Sequence, residues 1–210
     1  MLTTNLSGRL GSALVEYLPD TQLILLLGAM IVSLILGMGL PTPVAYIIVA
    51  LALVPFMQQI GIPPLQAHFF VFYFAVFSTL TPPVAVSVLA AAKLGEATFL
   101  STAKDAMKIA LTTFIIPFAF VFSPELMLFP NVTWGTMLAV VEVVFVQLAV
   151  SVASYGFLIR SLNGFERGVY AFVALSGFLG FTYDANFWYV AVALFLAISG
   201  YVFVSNKTQG

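Results

Sequence analysis

Apolar residues form long, nearly uninterrupted runs along this chain of 210 residues, and polar residues are concentrated in the short stretches between them. The runs fall at roughly 22–36, 44–57, 68–92, 108–123, 133–158, 168–182 and 187–204. The connections are rich in Pro, Gly, Asn or charged residues, which interrupt regular structure. We therefore predict that every run is helical and that the chain is all-α.

The composition identifies the medium that surrounds these helices. Hydrophobic residues make up 62% of the chain and charged residues 7%, whereas about a quarter of the residues in soluble domains are charged. So few polar side chains cannot coat a water-facing surface of this size, and we expect lipid to face most of it. The predicted fold class is an all-α polytopic membrane protein.

Several kinds of chemistry are disfavoured by the residues present. The chain has no cysteine and one histidine, so thiol catalysis and zinc sites lack ligands. A net charge of −1 with scattered basic residues offers no patch for nucleic acid. No His, Asp and Ser are paired as base and nucleophile, and we expect no enzymatic activity. His68 begins a predicted helix near the external interface, where amphipathic side chains settle; a gating or proton-transfer role is the alternative.

The first two apolar runs are shorter than the roughly 20 residues that cross a bilayer. We interpret residues 22–57 as a re-entrant helical hairpin that enters and leaves on the same side. Two short tilted spans joined by a tight turn remain the alternative. One broken helix at 68–92 and about four further transmembrane helices complete the predicted fold. Residues 1–20, with leucines at four-residue spacing, suit an interfacial lead-in helix.

The basic residues occupy alternate connections, and this alternation predicts the orientation. They are Lys93, Lys104 and Lys108 in one connection, Arg160 and Arg167 in a later one, and Lys207 near the C-terminus. The intervening connections, around 123–131 and 183–186, contain Glu125 and Asp184 but no Lys or Arg. Since short cytoplasmic loops collect positive charge, we expect a cytoplasmic C-terminus and an external connection at 58–66.

The run from Gly37 to Pro43 lies between the two short apolar arms, deep in the predicted membrane region. Two glycines and two prolines in seven residues cannot continue a helix. Irregular backbone at that depth is tolerated only where it is buried in protein or lines a polar cavity. Its carbonyls could hold a sodium ion, and the following helix N-terminus a carboxylate. A turn that merely reverses the chain is the alternative.

A second interruption, from Ser78 to Pro83, divides the 68–92 run. Two consecutive prolines leave carbonyls unpaired one turn earlier, beside several hydroxyl groups. We predict that Thr81 is the N-cap of a second half-helix that begins at Pro82 or Pro83. A simple proline kink is the alternative, but two interruptions close in sequence favour the discontinuous helices of secondary transporters.

Three segments of this region resemble one known family. They are Leu36–Tyr46, Pro63–Tyr73 and Thr81–Ala85. In this order and spacing they are similar to the large membrane subunit of tripartite ATP-independent periplasmic (TRAP) transporters, and most similar to the fused permeases that serve TAXI-type solute-binding proteins. The resemblance covers about residues 20–125. It implies an elevator-type sodium symporter of the bacterial inner membrane, which receives a small organic carboxylate from a periplasmic TAXI-type binding protein.

The resemblance also implies a binding site, formed by the tip of the second hairpin and the following broken helix. Sodium, the coupling ion, would be held mostly by backbone carbonyls, and part of the substrate site would lie beside it; no other cofactor is implied. The implied residues are Gly37, Gly39, Pro41 and Thr42 from the tip, and Ser78, Thr79 and Thr81 from the break.

One departure from the family pattern concerns repeats. The core of the family is an inverted repeat, and this sequence contains one hairpin and one broken helix. We therefore expect the C-terminal half of a longer permease, or a chain that pairs with a polypeptide carrying the first half. The predicted divisions are a lead-in at 1–20, a half-core at 21–125 (including a helix at 108–123) and an extension of about three transmembrane helices at 126–210. A non-transporting membrane scaffold or inactive permease fragment is the alternative function.

Overall fold

The structure, a computed structural model, describes Arg9, Ala13, residues 21–127 and residues 132–207. Within them the backbone is helical and contains no β-strand, only an isolated bridge between Phe157 and Ser161. The predicted all-α fold is confirmed. The interfacial helix predicted for residues 1–20 lies outside the described residues except for Arg9 and Ala13, both of which are helical.

The described helices, in chain order, are α1 (Gln22–Gly37), α2 (Thr42–Gln59), α3 (Pro64–Phe77), α4 (Val86–Leu94), α5 (Phe99–Thr113), α6 (Ile115–Phe122), α7 (Trp134–Tyr155), α8 (Gly164–Thr182) and α9 (Asn186–Lys207). A 3₁₀ turn at Pro124–Met127 follows α6. By its internal contacts the chain divides into two compact units, Met1–Ala110 and Leu111–Gly210.

In the first unit, α1, α2 and α3 pack against one another. Residues 38–41 join α1 to α2, and residues 60–63 join α2 to α3, so the chain reverses twice. As a result, the end of α1, the start of α2 and the end of α3 lie at the same end of the group. Fully or almost fully buried apolar residues hold the three helices together: Leu26, Ala29, Ala45, Val49, Leu53, Phe70 and Phe74.

The helix predicted at 108–123 begins earlier, at Phe99, and is interrupted at Phe114. Lys104 and Lys108 therefore lie on α5, and the connection predicted to hold them shortens to residues 95–98. The lysines lower the hydropathy of this stretch. A prediction based on apolar runs therefore placed the start of the helix too late. Small residues at helical spacing form its packed face: Ala103 and Ala106 contact a cluster with Ala85, Val88, Leu80 and Phe99.

In the second unit, α8 lies between α7 and α9 and packs against both. Glycines allow this close approach, since a Cβ on Gly177 would lie 2.7 Å from Val146 and one on Gly180 would lie 3.1 Å from the backbone of Trp188. The hydroxyl of Ser176 donates to the carbonyl of Phe187 at 2.8 Å. The polar side chain of Ser176, which is buried, is thus satisfied inside the bundle.

Four helical stretches of the described residues are long and apolar enough to cross a membrane: α2, the α5–α6 stretch, α7 and α9. The polytopic membrane fold is therefore confirmed. Helix α1 is shorter, with 16 residues, and α2 has 18. These lengths leave both interpretations of the hairpin in place, and its re-entrant character stays a prediction, as do the predicted domain divisions.

Candidate functional site

The tip of the hairpin is a tight turn between α1 and α2. The N–H of Leu40 donates to the carbonyl of Gly37 at 3.3 Å. Gly39 has φ +74°, in the left-handed region, which glycine adopts without steric strain. Proline fits the two positions that follow at 41 and 43, because Pro41 caps α2 and Pro43 lies in its first turn, where helix N–H groups have no intrahelical partner.

The tip presents carbonyl groups in a region without charged side chains. No backbone N–H of the described residues donates to the carbonyls of Met38, Gly39 or Leu40. Residues 21–92 contain no Asp, Glu, Lys or Arg. Any charge that binds here would be met by backbone dipoles and hydroxyl groups.

The broken helix ends in a cluster of hydroxyl groups. The side chains of Ser78, Thr79 and Thr81 donate to the carbonyls of Ala75, Val76 and Phe77 at 2.6, 2.9 and 2.8 Å. The backbone N–H groups of Thr79 and Leu80 also donate to the carbonyls of Val76 and Phe77. The hydroxyl groups therefore add second bonds to these two carbonyls and give the carbonyl of Ala75 a donor. Each hydroxyl oxygen keeps lone pairs that can accept or coordinate a further group.

The predicted N-cap role of Thr81 is wrong. The second half-helix, α4, begins at Val86, and its N-cap is Ala85, with φ 38° and ψ 58°. A residue before proline avoids helical conformations, and this restriction applies to both Thr81 and Pro82. The turn is therefore longer than predicted, and the N–H of Ser87 closes it by donating to the carbonyl of Thr79 at 3.1 Å.

The structure brings the tip and the break together. A Cβ placed on Gly37 would collide with the side chain of Ser78, with 2.8 Å to its Cβ. A Cβ on Gly39 would lie 3.3 Å from Val84. Gly37 and Ser78 are both buried. Gly37 of the tip thus lies against Ser78 of the break, and Gly39 lies near Val84, which directly follows the break.

The remaining sequence-predicted residues lie in the same turns. Thr42 begins α2 directly after the tip and is half-buried, whereas Pro41 is exposed. Thr79 and Thr81, which follow Ser78 in the break, are half-buried. Half-buried threonines thus flank in sequence the two buried residues, Gly37 and Ser78, that join the tip and the break.

Helix dipoles converge at this contact. Gly37 is the last residue of α1 and Ser78 is the C-cap of α3, so two helix C-termini, each with partial negative charge, meet here. The N-terminus of α2 begins at the same tip, and its first turn has no acidic residue. The arrangement offers partial negative charge to a cation and a partly positive helix end to an anion.

One interaction near the site was missed by the sequence reasoning. The hydroxyl of Tyr46 on α2 lies 2.8 Å from Nδ1 of His68 on α3. The sequence placed His68 near the external interface, with a gating or proton-transfer role as the alternative, and gave it no partner. The available signal was that both residues are polar groups within otherwise apolar runs, which need partners in a membrane.

Comparison with known proteins identifies a family. Residues 1–135 match the family model described as tripartite ATP-independent periplasmic transporter, DctM component. No curated protein and no solved structure matches the chain. The matched stretch contains both the tip and the break, and it ends at the first turn of α7.

Proposed function

Because the chain belongs to the DctM component family of tripartite ATP-independent periplasmic transporters, we propose that it takes part in sodium-coupled symport of a small organic carboxylate. Membership makes it a multi-pass permease component of a secondary transporter that works with a periplasmic solute-binding protein. Sodium coupling, the carboxylate substrate and a TAXI-type binding protein are the finer parts of the proposal. The earlier resemblance to fused permeases supports the last of these.

The observation that carries the proposal is the meeting of two helix C-termini at Gly37 and Ser78. In secondary transporters, unwound backbone carbonyls and the C-terminal ends of broken helices coordinate sodium at midplane sites. The proposed ion-binding residues are Gly37, Gly39, Pro41 and Thr42 from the tip, and Ser78, Thr79 and Thr81 from the break. Most act through backbone carbonyls, and the threonines can add hydroxyl oxygens.

The proposed carboxylate preference rests on helix N-termini. Helix α2 begins at the tip and α4 begins just after the break, and neither has an acidic residue in its first turn. Their partial positive charge favours an anionic group. The described residues contain one hairpin and one broken helix, so a second set, from further chain or another polypeptide, would complete the substrate site.

The proposed location is the bacterial inner membrane, with the C-terminus in the cytoplasm. Arg160 lies in the connection between α7 and α8, and Arg167 lies near the start of α8. At the opposite end of the same bundle, Trp134 and Tyr189 are 75% and 70% exposed, as expected of residues at a membrane–water interface.

The sodium site can be tested on the purified chain. We expect sodium, exchanged for choline at constant ionic strength, to raise the thermal unfolding temperature, because an ion that binds only the folded state stabilises it by about 2.7 kcal/mol at one hundred times its Kd. Thr42→Val and Thr81→Val should weaken the response. Thr102→Val is the matched control, since that hydroxyl also donates to a carbonyl four residues back, Thr98, but lies on α5.

Transport is tested in proteoliposomes that contain the chain, the polypeptide with the first repeat and the binding protein. We expect sodium-dependent accumulation of at least one radiolabelled carboxylate from a panel. Accumulation that is independent of sodium, or unaffected by Thr42→Val and Thr81→Val together, would reject the assigned site. Complete absence of transport with all components present would favour a non-transporting scaffold.

A further inference from the structure

Helices α2 and α3 are joined by a polar contact outside the proposed ion site. The hydroxyl of Tyr46 lies 2.8 Å from Nδ1 of His68, the only histidine in the sequence, and it donates to this nitrogen when the nitrogen carries no proton. The Tyr46 ring also packs edge-to-face on Phe72, with centroids 5.5 Å apart. Together with Leu65 and Phe69, these side chains line an open recess of about 310 Å³.

The contact is specific because its surroundings offer few other partners. No charged residue occurs between residues 21 and 92, and the rest of the recess is apolar. In a membrane, two polar side chains on neighbouring helices that face apolar surroundings satisfy each other by an interhelical hydrogen bond. The bond therefore favours one rotation of α2 about its axis and one position of α2 along α3, in addition to the buried apolar residues that hold the helices together.

That rotation determines where the start of α2 points. Tyr46 lies four residues after Thr42, so the two side chains share one face of α2, one turn apart. The neighbouring Ala45 lies against the tip, since a Cβ on Gly37 would be 3.5 Å from its Cβ. On α3, His68 and Phe72 belong to a face that reaches the break at Thr79 by helical spacing.

We propose that Tyr46 and His68 are positioning residues for the sodium site: their hydrogen bond holds the first turns of α2 against α3, so that Thr42 and the tip carbonyls face the break. The bond touches neither the ion nor the substrate, and it acts through α2. The inference rests on the proposed function, because it concerns the same site.

The test measures sodium affinity separately from stability. Thermal unfolding of the purified full chain is followed at increasing sodium, with choline keeping the ionic strength constant. Tyr46→Phe removes the hydroxyl and keeps the ring. His68→Asn keeps an acceptor near the position of Nδ1, whereas His68→Gln places its amide near the position of Nε2. Tyr189→Phe, at a 70% exposed position on α9, is the matched control.

We expect Tyr46→Phe and His68→Gln each to require about threefold more sodium for the same rise in unfolding temperature, which corresponds to the loss of an average interhelical hydrogen bond in a membrane. The double variant Tyr46→Phe/His68→Gln should show the same shift as either single variant, because both changes break the same bond. His68→Asn and Tyr189→Phe should resemble the unmodified chain.

Other outcomes distinguish a failure of the positioning role from a failure of the sodium site. If the unmodified chain responds to sodium and the variants lower only the unfolding temperature without sodium, the bond is structural and the positioning role is overturned. If the unmodified chain shows no sodium response, the sodium site itself fails, and the positioning role fails with it. Circular dichroism identifies a variant that has not folded. If either Tyr46→Phe or His68→Gln does not fold, the other variant tests the same hydrogen bond.

Discussion

At the scale of single residues, the two glycines of the tip serve different physical purposes. Gly39 adopts a left-handed conformation, φ +74°, which a side chain would strain. Gly37 is the last helical residue of α1 and needs no unusual backbone. Its lack of a side chain leaves room for Ser78, which is fully buried. The sequence indicated glycine for backbone freedom at both positions, but at Gly37 the reason is space.

This difference leads to a prediction for Gly37→Ala. The added methyl group would lie 2.8 Å from the Cβ of Ser78, and overpacking of this kind costs about 1–3 kcal/mol. We expect the free energy of unfolding, measured by denaturant titration in detergent, to fall by that amount. Ser78→Gly in the same chain should recover part of the loss, because it removes the opposing atoms.

Gly200→Ala is the matched control for this substitution. A Cβ at Gly200, also in a helix, would meet nothing within 4 Å. We expect a neutral or slightly stabilising effect there, of at most about 1 kcal/mol from helix propensity. If Gly37→Ala behaved like Gly200→Ala, the close contact between tip and break would be contradicted.

At the scale of elements, the connection between α7 and α8 is held by an ion pair. The Arg160 guanidinium donates to both Glu166 carboxylate oxygens, at 3.0 and 2.6 Å. Glu166 also accepts from the N–H of Asn163 at 2.9 Å, which forms a capping box at the start of α8. Arg167 donates to the carbonyls of Ala153 and Ser154 near the end of α7. The basic residues that predicted orientation thus also join two helices.

The ion pair predicts a pH dependence of stability. Hydrogen bonds from Arg160 are the main cause that lowers the pKa of the Glu166 carboxyl below its ordinary value of 4.5, and the N–H of Asn163 adds to them against the opposing effect of burial. A depressed carboxyl pKa contributes stability above 4.5 and loses it as the pH falls through the lower, folded-state pKa. We expect the unfolding temperature to drop over that acidic interval.

Glu166→Gln tests whether protonation of Glu166 causes the drop in unfolding temperature at acidic pH. The variant should unfold at a lower temperature at neutral pH and show a smaller fall below pH 4.5. Asp105→Asn is the control, since Asp105 and Lys108 are 4.0 Å apart with side chains 72% and 57% exposed, and such surface pairs contribute little. Equal acid sensitivity of Glu166→Gln and the unmodified chain would assign the transition to other groups.

At the scale of the whole molecule, the distribution of charge predicts which connections face the cytoplasm. The chain has no cysteine, so single introduced cysteines report on accessibility without background. Four exposed positions suit this purpose: Gln59, Ala97, Ser161 and Ala185. We expect a membrane-impermeant maleimide to label Gln59→Cys and Ala185→Cys in right-side-out spheroplasts. Ala97→Cys and Ser161→Cys should react only after permeabilisation.

The reason for this expectation is that Lys and Arg favour the cytoplasmic side of short connections. Gln59 and Ala97 are separated by α3, the break and α4, so their difference also tests whether the broken helix crosses the membrane. Labelling of all four positions in spheroplasts would contradict the predicted orientation, and the reverse pattern would invert it. The unmodified chain, which should not react, is the control.

Much of the fold and the two places where the helices break follow from local features of the sequence, whereas the choice of site residues at those breaks came from the resemblance to the TRAP family. Runs of apolar residues determine a polytopic helical protein, because only helices satisfy backbone groups in lipid over such lengths. Glycine and proline locate the tip and the break, because they act on the backbone at their own positions. The start of α5 was placed too late because Lys104 and Lys108 lowered the hydropathy of a stretch whose helical face is built from small residues.

Only the tertiary structure decided how these parts meet. The contact of Gly37 with Ser78 and the hydrogen bond of Tyr46 with His68 join residues far apart in the chain, and such contacts depend on how helices rotate and pack rather than on local propensity. The position where α4 resumes, at Val86, likewise depends on a turn closed by Ser87 and Thr79. Local chemistry thus determined where the helices break, and packing decided that two of the breaks lie against each other.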